Sequence, residues 1–177
     1  GWAVYFYTKS LKSKDIDIIV DFAELGRLRE VFDLKKNERL KKYEIQIEGF
    51  DVDIYVPSWS ELGLPAEFIM NNAVSLEGFL VPKKEILLAL KLVAYQERKN
   101  SLKGKKDMID IISLLFKNKL PLDAFLDICR TYNLGKLAEE LSALLQTSYE
   151  IPELGINRKH FSDFKKPLLK ELKSACF

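Results

Sequence analysis

The chain has 177 residues, 47% of them hydrophobic and 31% charged, with a formal net charge of +2. That is the composition of a globular protein long enough to bury a core without disulfide or metal staples, and so small a charge excess gives no argument of its own for a nucleic-acid partner. Two widely spaced cysteines, Cys129 and Cys176, lack metal-type spacing, and the sole histidine, His160, leaves little material for a histidine-based metal site or catalytic dyad. No apolar run approaches a membrane span and no signal peptide is recognisable, so a reduced, cytoplasmic protein is expected.

The chain opens abruptly on "GWAVYFYT", read as a short amphiphilic helix over residues 1–8, and an upstream segment is expected before Gly1. "DIDIIVDF" alternates with β-branched residues and predicts a strand. The segment "AELGRLREVFDLKKNERLKK" places Leu25, Leu28, Val31, Phe32 and Leu34 at helical spacing. "YEIQIEG" and "FDVDIYVP" read as two strands parted by Gly49, with Pro57 closing the second. A loop with one helical turn follows, then a tight hairpin around Glu77-Gly78.

From Pro82 onward the texture is helical. "PKKEILLALKLVAYQER" has its proline in the first turn. "NSLKG" is read as a break before a helix in "KKDMIDIISLLFKN", and "KNSLKGKK" as a solvated basic stretch. Helices are expected in "PLDAFLDICRTYN" and "LGKLAEELSALLQ", with Cys129 a buried core thiol, and a last helix is interrupted at Pro167. The expected organisation is α+β over residues 1–81, a mixed β-sheet flanked by helices, followed by an all-helical part over 82–177.

Two constellations stand out. A strand has a side-chain period of two, so Asp15 and Asp17 share one face and Ile16 and Ile18 the other; Asp51 and Asp53 repeat the arrangement around Val52. If the strands are neighbours, three or four carboxylates converge, and they cannot all stay ionised without cations. Such hard oxygen ligands suit Mg²⁺ or Mn²⁺ bridging substrate phosphates; the competing reading is solvated acidic strand edges. On the helical side, Lys91 lies among leucines in line with Leu87 and Arg98, either snorkelling to solvent or neutralising a phosphate. Asp107 and Asp110 share a face of the next helix, and Asp107 is read as pairing with Arg98 or Lys91 or as supporting the helix start.

These residues resemble the nucleotidyltransferase superfamily typified by DNA polymerase beta: a glycine, a helix, "KDID", a later "VDI", and the lysine, arginine and Lys-Asp pattern of residues 85–115. That segment is similar to small bacterial and archaeal members, among them AbiEii-type toxins and lincosamide-modifying enzymes. The resemblance covers residues 1 to about 116 and implies a nucleotidyltransferase-like sheet, with residues 82–116 contributing to the active-site cleft. It implies two Mg²⁺ or Mn²⁺ ions on Asp15 and Asp17, with Asp53 as the third carboxylate helping to activate an acceptor hydroxyl and Asp51 as its alternative or support. Gly1 and Ser13 would lie near the phosphates. Lys91 would neutralise the triphosphate, organised by Asp107, Arg98 and Asp110. The implied reaction moves a nucleoside monophosphate from a nucleoside triphosphate, such as ATP, to a small-molecule, RNA or protein hydroxyl. A non-catalytic module bound to an antitoxin-like protein is the other expectation. Residues 117–177 carry no resemblance.

Overall fold

The computed structural model describes residues 1–117 and 119–174; Cys176 lies outside them. The chain divides into two compact units, Gly1–Lys83 and Lys84–Phe177. The first is α+β and the second helical, with a short β-bridge between Ile151 and Ile156.

In the first unit, helix α1 (Trp2–Thr8) precedes strand β1 (Asp15–Ile19), helix α2 (Phe22–Val31) and strands β2 (Lys35–Asn37), β3 (Lys42–Ile47) and β4 (Phe50–Tyr55). The four strands form one mixed sheet in the order β1-β4-β3-β2, parallel only between β1 and β4. Asp21 caps α2, its Oδ1 accepting from the Glu24 N–H at 2.7 Å. The apolar side of the sheet supplies the core: Tyr43, Ile45, Val52, Ile54 and Val56 are buried with Leu25, and Ile16, Ile18, Leu28, Leu34 and Trp59 pack against them. Each fully buried aliphatic side chain of this kind contributes roughly 1.5–3 kcal/mol. The remaining elements are α3 (Ala66–Asn71) and a hairpin of β5 (Ala73–Leu76) and β6 (Phe79–Pro82). Glu77 and Gly78 both take positive φ, as a two-residue hairpin turn of this hand requires. Helix α1 is tied to that hairpin by the Phe6–Phe79 ring pair at 5.0 Å, the Tyr7 hydroxyl donating to the Pro82 carbonyl at 2.9 Å, and the Lys9–Glu77 ion pair.

The periodicity after Ala23 overstates the helix. It ends at Val31, and β2 and a turn occupy the segment up to Lys41. Only Leu25 and Leu28 of the apolar set meet the core from the helix, whereas Val31 is 73% exposed. Leu34 reaches the same core from extended backbone, so strand pairing with β3 overrides a helical spacing that half fails to bury its side chains.

The second unit comprises α4 (Lys84–Arg98), α5 (Leu102–Lys117), α6 (Leu122–Thr131), α7 (Gly135–Thr147), a 3₁₀ turn at Pro152–Leu154, and α8 (Arg158–Ser174). Helix α4 packs on α5, α6 and α7, and α7 packs on α8. Leu88, Leu92, Ile111, Ile112, Leu114, Phe125, Leu141, Leu145 and Phe161 are fully buried, as is Cys129, whose thiol burial pushes up to about 11. Two boundaries differ from expectation. Helix α5 starts at Leu102, before the "KG" of the supposed break, because Ser101 Oγ accepts the Gly104 N–H at 3.0 Å and caps it. Helix α8 runs through Pro167 without ending; the proline removes one backbone donor, while buried Phe161 and Leu172 anchor the helix on either side of it.

Gly104 is required by this tight turn: a Cβ there would lie 2.2 Å from the Arg98 carbonyl oxygen. Gly104→Ala is therefore expected to cost about 1–3 kcal/mol through the backbone displacement it forces, readable as a lower thermal midpoint, whereas Gly135→Ala, with nothing within 4 Å, is not.

Candidate functional site

The β1–β4 register sets Asp15 opposite Asp51 and Asp17 opposite Asp53, so the two Asp-x-Asp pairs lie side by side on one sheet face. The intervening Ile16, Ile18, Val52 and Ile54 turn into the core on the other. This is the convergence expected from the sequence. The face continues onto β3, where Glu44 is opposite Asp53 and Gln46 opposite Asp51. Asp17 and Asp51 are exposed and Asp15 half-buried, while the Asp53 side chain is 19% exposed. Gly1 and Ser13 sit at the same place: a Cβ on Gly1 would stand 3.2 Å from Ser13 Oγ and 3.6 Å from Asp17 Oδ2.

A residue that sequence reasoning missed organises this face. Lys42, only 13% exposed, places its Nζ 2.6 Å from Asp53 Oδ2 and 3.0 Å from Glu44 Oε1. Asn37 Nδ2 donates to the same Glu44 oxygen at 2.9 Å. The signal was available in "KYEIQI", where Lys42, Glu44 and Gln46 alternate with Tyr43, Ile45 and Ile47, and in the two-residue turn at Glu48-Gly49 that sets the register.

The electrostatics follow. Burial raises the Asp53 carboxyl above the usual aspartate range, and the Asp17 and Glu44 charges add to that against the opposing pull of Lys42. Burial pushes the Lys42 ammonium down, but its bonds to Asp53 and Glu44 outweigh this and its pKa is raised. Glu44 is lowered, chiefly by the Lys42 hydrogen bond. The donor chemistry of Asp15, Asp17 and Asp53, hard oxygens on adjacent strands, fits a divalent cation such as Mg²⁺. Among the described residues, however, no group of three or more acidic, histidine or cysteine side chains is arranged to hold a metal ion; one Asp53 oxygen is taken by Lys42.

The second constellation forms within the helical unit. Lys91 Nζ lies 2.7 Å from Asp110 Oδ2 and 3.2 Å from Asp107 Oδ1, and Arg98 Nε reaches Asp107 Oδ2 at 2.8 Å. Of the readings open for Asp107, ion pairing holds, and with both cations at once. Asp107 and Asp110 are 1% exposed, so each depends on these cations for compensation. Burial would lower the Lys91 pKa, but the charges of Asp110 and then Asp107 raise it instead. Lys91 therefore does not snorkel to solvent; its charge is matched by carboxylates of α5. Lys99 and Lys105 of the basic stretch pair with Glu140 and Glu153, and His160 is an exposed residue in the first turn of α8.

No helix among the described residues is long and apolar enough to cross a membrane. No protein-family model matches the chain, and a search of curated proteins finds no relative.

Two stability tests follow from the charges. Lys91→Met removes the ammonium that Asp107 and Asp110 share and is expected to cost about 3–5 kcal/mol in chemical denaturation. Because the raised lysine pKa makes its contribution complete below the ordinary lysine range and lost only at higher pH, that cost should be constant across neutral pH. Asp53 has the opposite sign. Its raised carboxyl binds a proton more readily in the folded chain, so its contribution to stability falls as pH rises from the ordinary aspartate range through the folded value. Asp53→Asn should flatten that part of the curve of thermal midpoint against pH without lowering the midpoint at neutral pH; a marked drop there counts against this electrostatic account.

Proposed function

We propose that the chain is a metal-dependent nucleotidyltransferase, moving a nucleoside monophosphate from a nucleoside triphosphate to a hydroxyl acceptor in the cytoplasm, with release of pyrophosphate. The observation that carries this reading is the in-register pairing of Asp15 with Asp51 and Asp17 with Asp53 on the polar face of a mixed sheet. Acidic strand edges kept only for solubility have no need to be adjacent, because side-by-side carboxylates repel. Gly1 and Ser13 stand beside Asp17 and add an uncharged hydroxyl and a glycine backbone next to the carboxylates.

Asp15, Asp17 and Asp53 would hold the cations, with Asp51 in support. Divalent ions supply charge neutralisation on the triphosphate and acidify the acceptor hydroxyl. The acceptor oxygen forms its bond to the α-phosphorus as the bond from that phosphorus to the β-bridging oxygen breaks, and pyrophosphate leaves with that electron pair. The hydroxyl proton would pass to a carboxylate oxygen of Asp53, whose carboxyl burial and the neighbouring Asp17 charge raise above the usual aspartate range. The triphosphate role that the resemblance implies for Lys91, Arg98 and Asp107 is not part of this assignment: within the helical unit Lys91 and Arg98 share the Asp107 carboxylate.

The test is transfer of label from α-labelled nucleoside triphosphates, offered singly with Mg²⁺, to RNA, protein and small-molecule hydroxyl acceptors. Asp15→Asn combined with Asp17→Asn should lower transfer roughly 100-fold or more; undiminished transfer rejects the assignment. Mg²⁺-dependent nucleotide binding without transfer to any acceptor would instead favour a non-catalytic module with a protein partner of the antitoxin kind.

A further inference from the structure

Four of the side chains on the polar sheet face are linked across three strands by hydrogen bonds and ion pairs. Asn37 on β2 donates to Glu44 on β3, Glu44 and Asp53 both accept from Lys42, and Asp53 stands on β4 next to Asp17 on β1. The ladder leaves Lys42 little choice of partner, since Asn37 is paired with Lys42 and Glu44 with Asp53 in the strand register. An exposed ion pair holds its geometry weakly; here the lysine side chain is 13% exposed and touches two carboxylates from two strands. A solvated solubility charge has no reason to be sunk between them.

We infer that Lys42 is the resident counter-cation and positioning residue of the carboxylate face. It holds the Asp53 carboxylate through Oδ2, and it must release that oxygen before a divalent ion can take it. The inference rests on the carboxylate-face reading above and adds to it a residue that sets how readily ions enter. Because Lys42 and a divalent ion compete for one oxygen, removing the ammonium should strengthen ion binding, which is the reverse of what loss of a ligand or of local packing would do. The Lys42 stem lies on the sheet whichever head group it carries, so Lys42→Met keeps the volume and deletes the charge.

The experiment is a titration of the full chain with Mn²⁺ alone, following free ion by electron paramagnetic resonance, for the unmodified protein, Lys42→Met, Lys42→Gln, Lys42→Arg and Asp53→Asn, each checked for folding by circular dichroism. Lys42→Met and Lys42→Gln should bind Mn²⁺ about fivefold or more tightly than the unmodified chain, and Lys42→Arg should restore the weaker affinity. In an Asp53→Asn background the Lys42 substitutions should no longer change it. If the unmodified chain binds Mn²⁺ and neither neutral variant binds it more tightly, the Lys42 assignment is overturned while the carboxylate face stands. If no variant binds Mn²⁺ at all, the carboxylate-face reading falls and takes this assignment with it.

Discussion

The parallel pairing of β1 with β4 is the constraint on which the first unit depends. It is the one parallel contact in the sheet, and parallel neighbours cannot be joined by a tight turn. The intervening α2, β2 and β3 therefore form the crossover, and α2 is brought onto the apolar face where Leu25 and Leu28 complete the core. The same pairing brings Asp15 against Asp51 and Asp17 against Asp53. A slip of one residue in β1 would exchange the aspartates for Ile16 and Ile18 and bury two carboxylates in their place. Core formation and carboxylate assembly are thus one event. The isoleucines hold the strand down and the aspartates are carried to the other side.

Charge compensation in the two units follows different rules. In the helical unit Lys91, Arg98, Asp107 and Asp110 balance one another in number and contact, and two carboxylates stay buried because two cations stay with them. On the sheet face Asp15, Asp17, Asp51, Asp53 and Glu44 outnumber Lys42, whose ammonium meets Asp53 and Glu44, and Lys35, whose ammonium meets Gln46. An excess of like charge of that kind costs stability. Burial chiefly raises the Asp53 carboxyl, the Asp17 and Glu44 charges adding to it, while Val52 and Ile54 on either side of it are buried on the far face.

Legibility in the sequence followed the same physical division. Local signals located β1, β3, β4, the Glu77-Gly78 hairpin and the helices of the second unit, because alternation, proline position and turn chemistry act over a few residues. They failed where burial decides. Val31 and Phe32 continued a helical spacing but stay largely outside the core, so α2 stops and β2 pairs instead. Pro167 looked like a break, yet packing carries α8 through it. Gly104 looked like a linker residue and proved to be inside a helix, needed for its missing Cβ.

The sequence by itself determined the α+β class and the face on which each aspartate must lie, because a strand's period of two allows no other partition of "DIDII" and "FDVDIY". Only the tertiary structure decided that the two faces are neighbours and parallel, that Lys42 and Glu44 join them, and that Lys91 is held by Asp107 and Asp110. Pairing between distant strands and between helices depends on which surfaces bury together, and no residue carries that information alone.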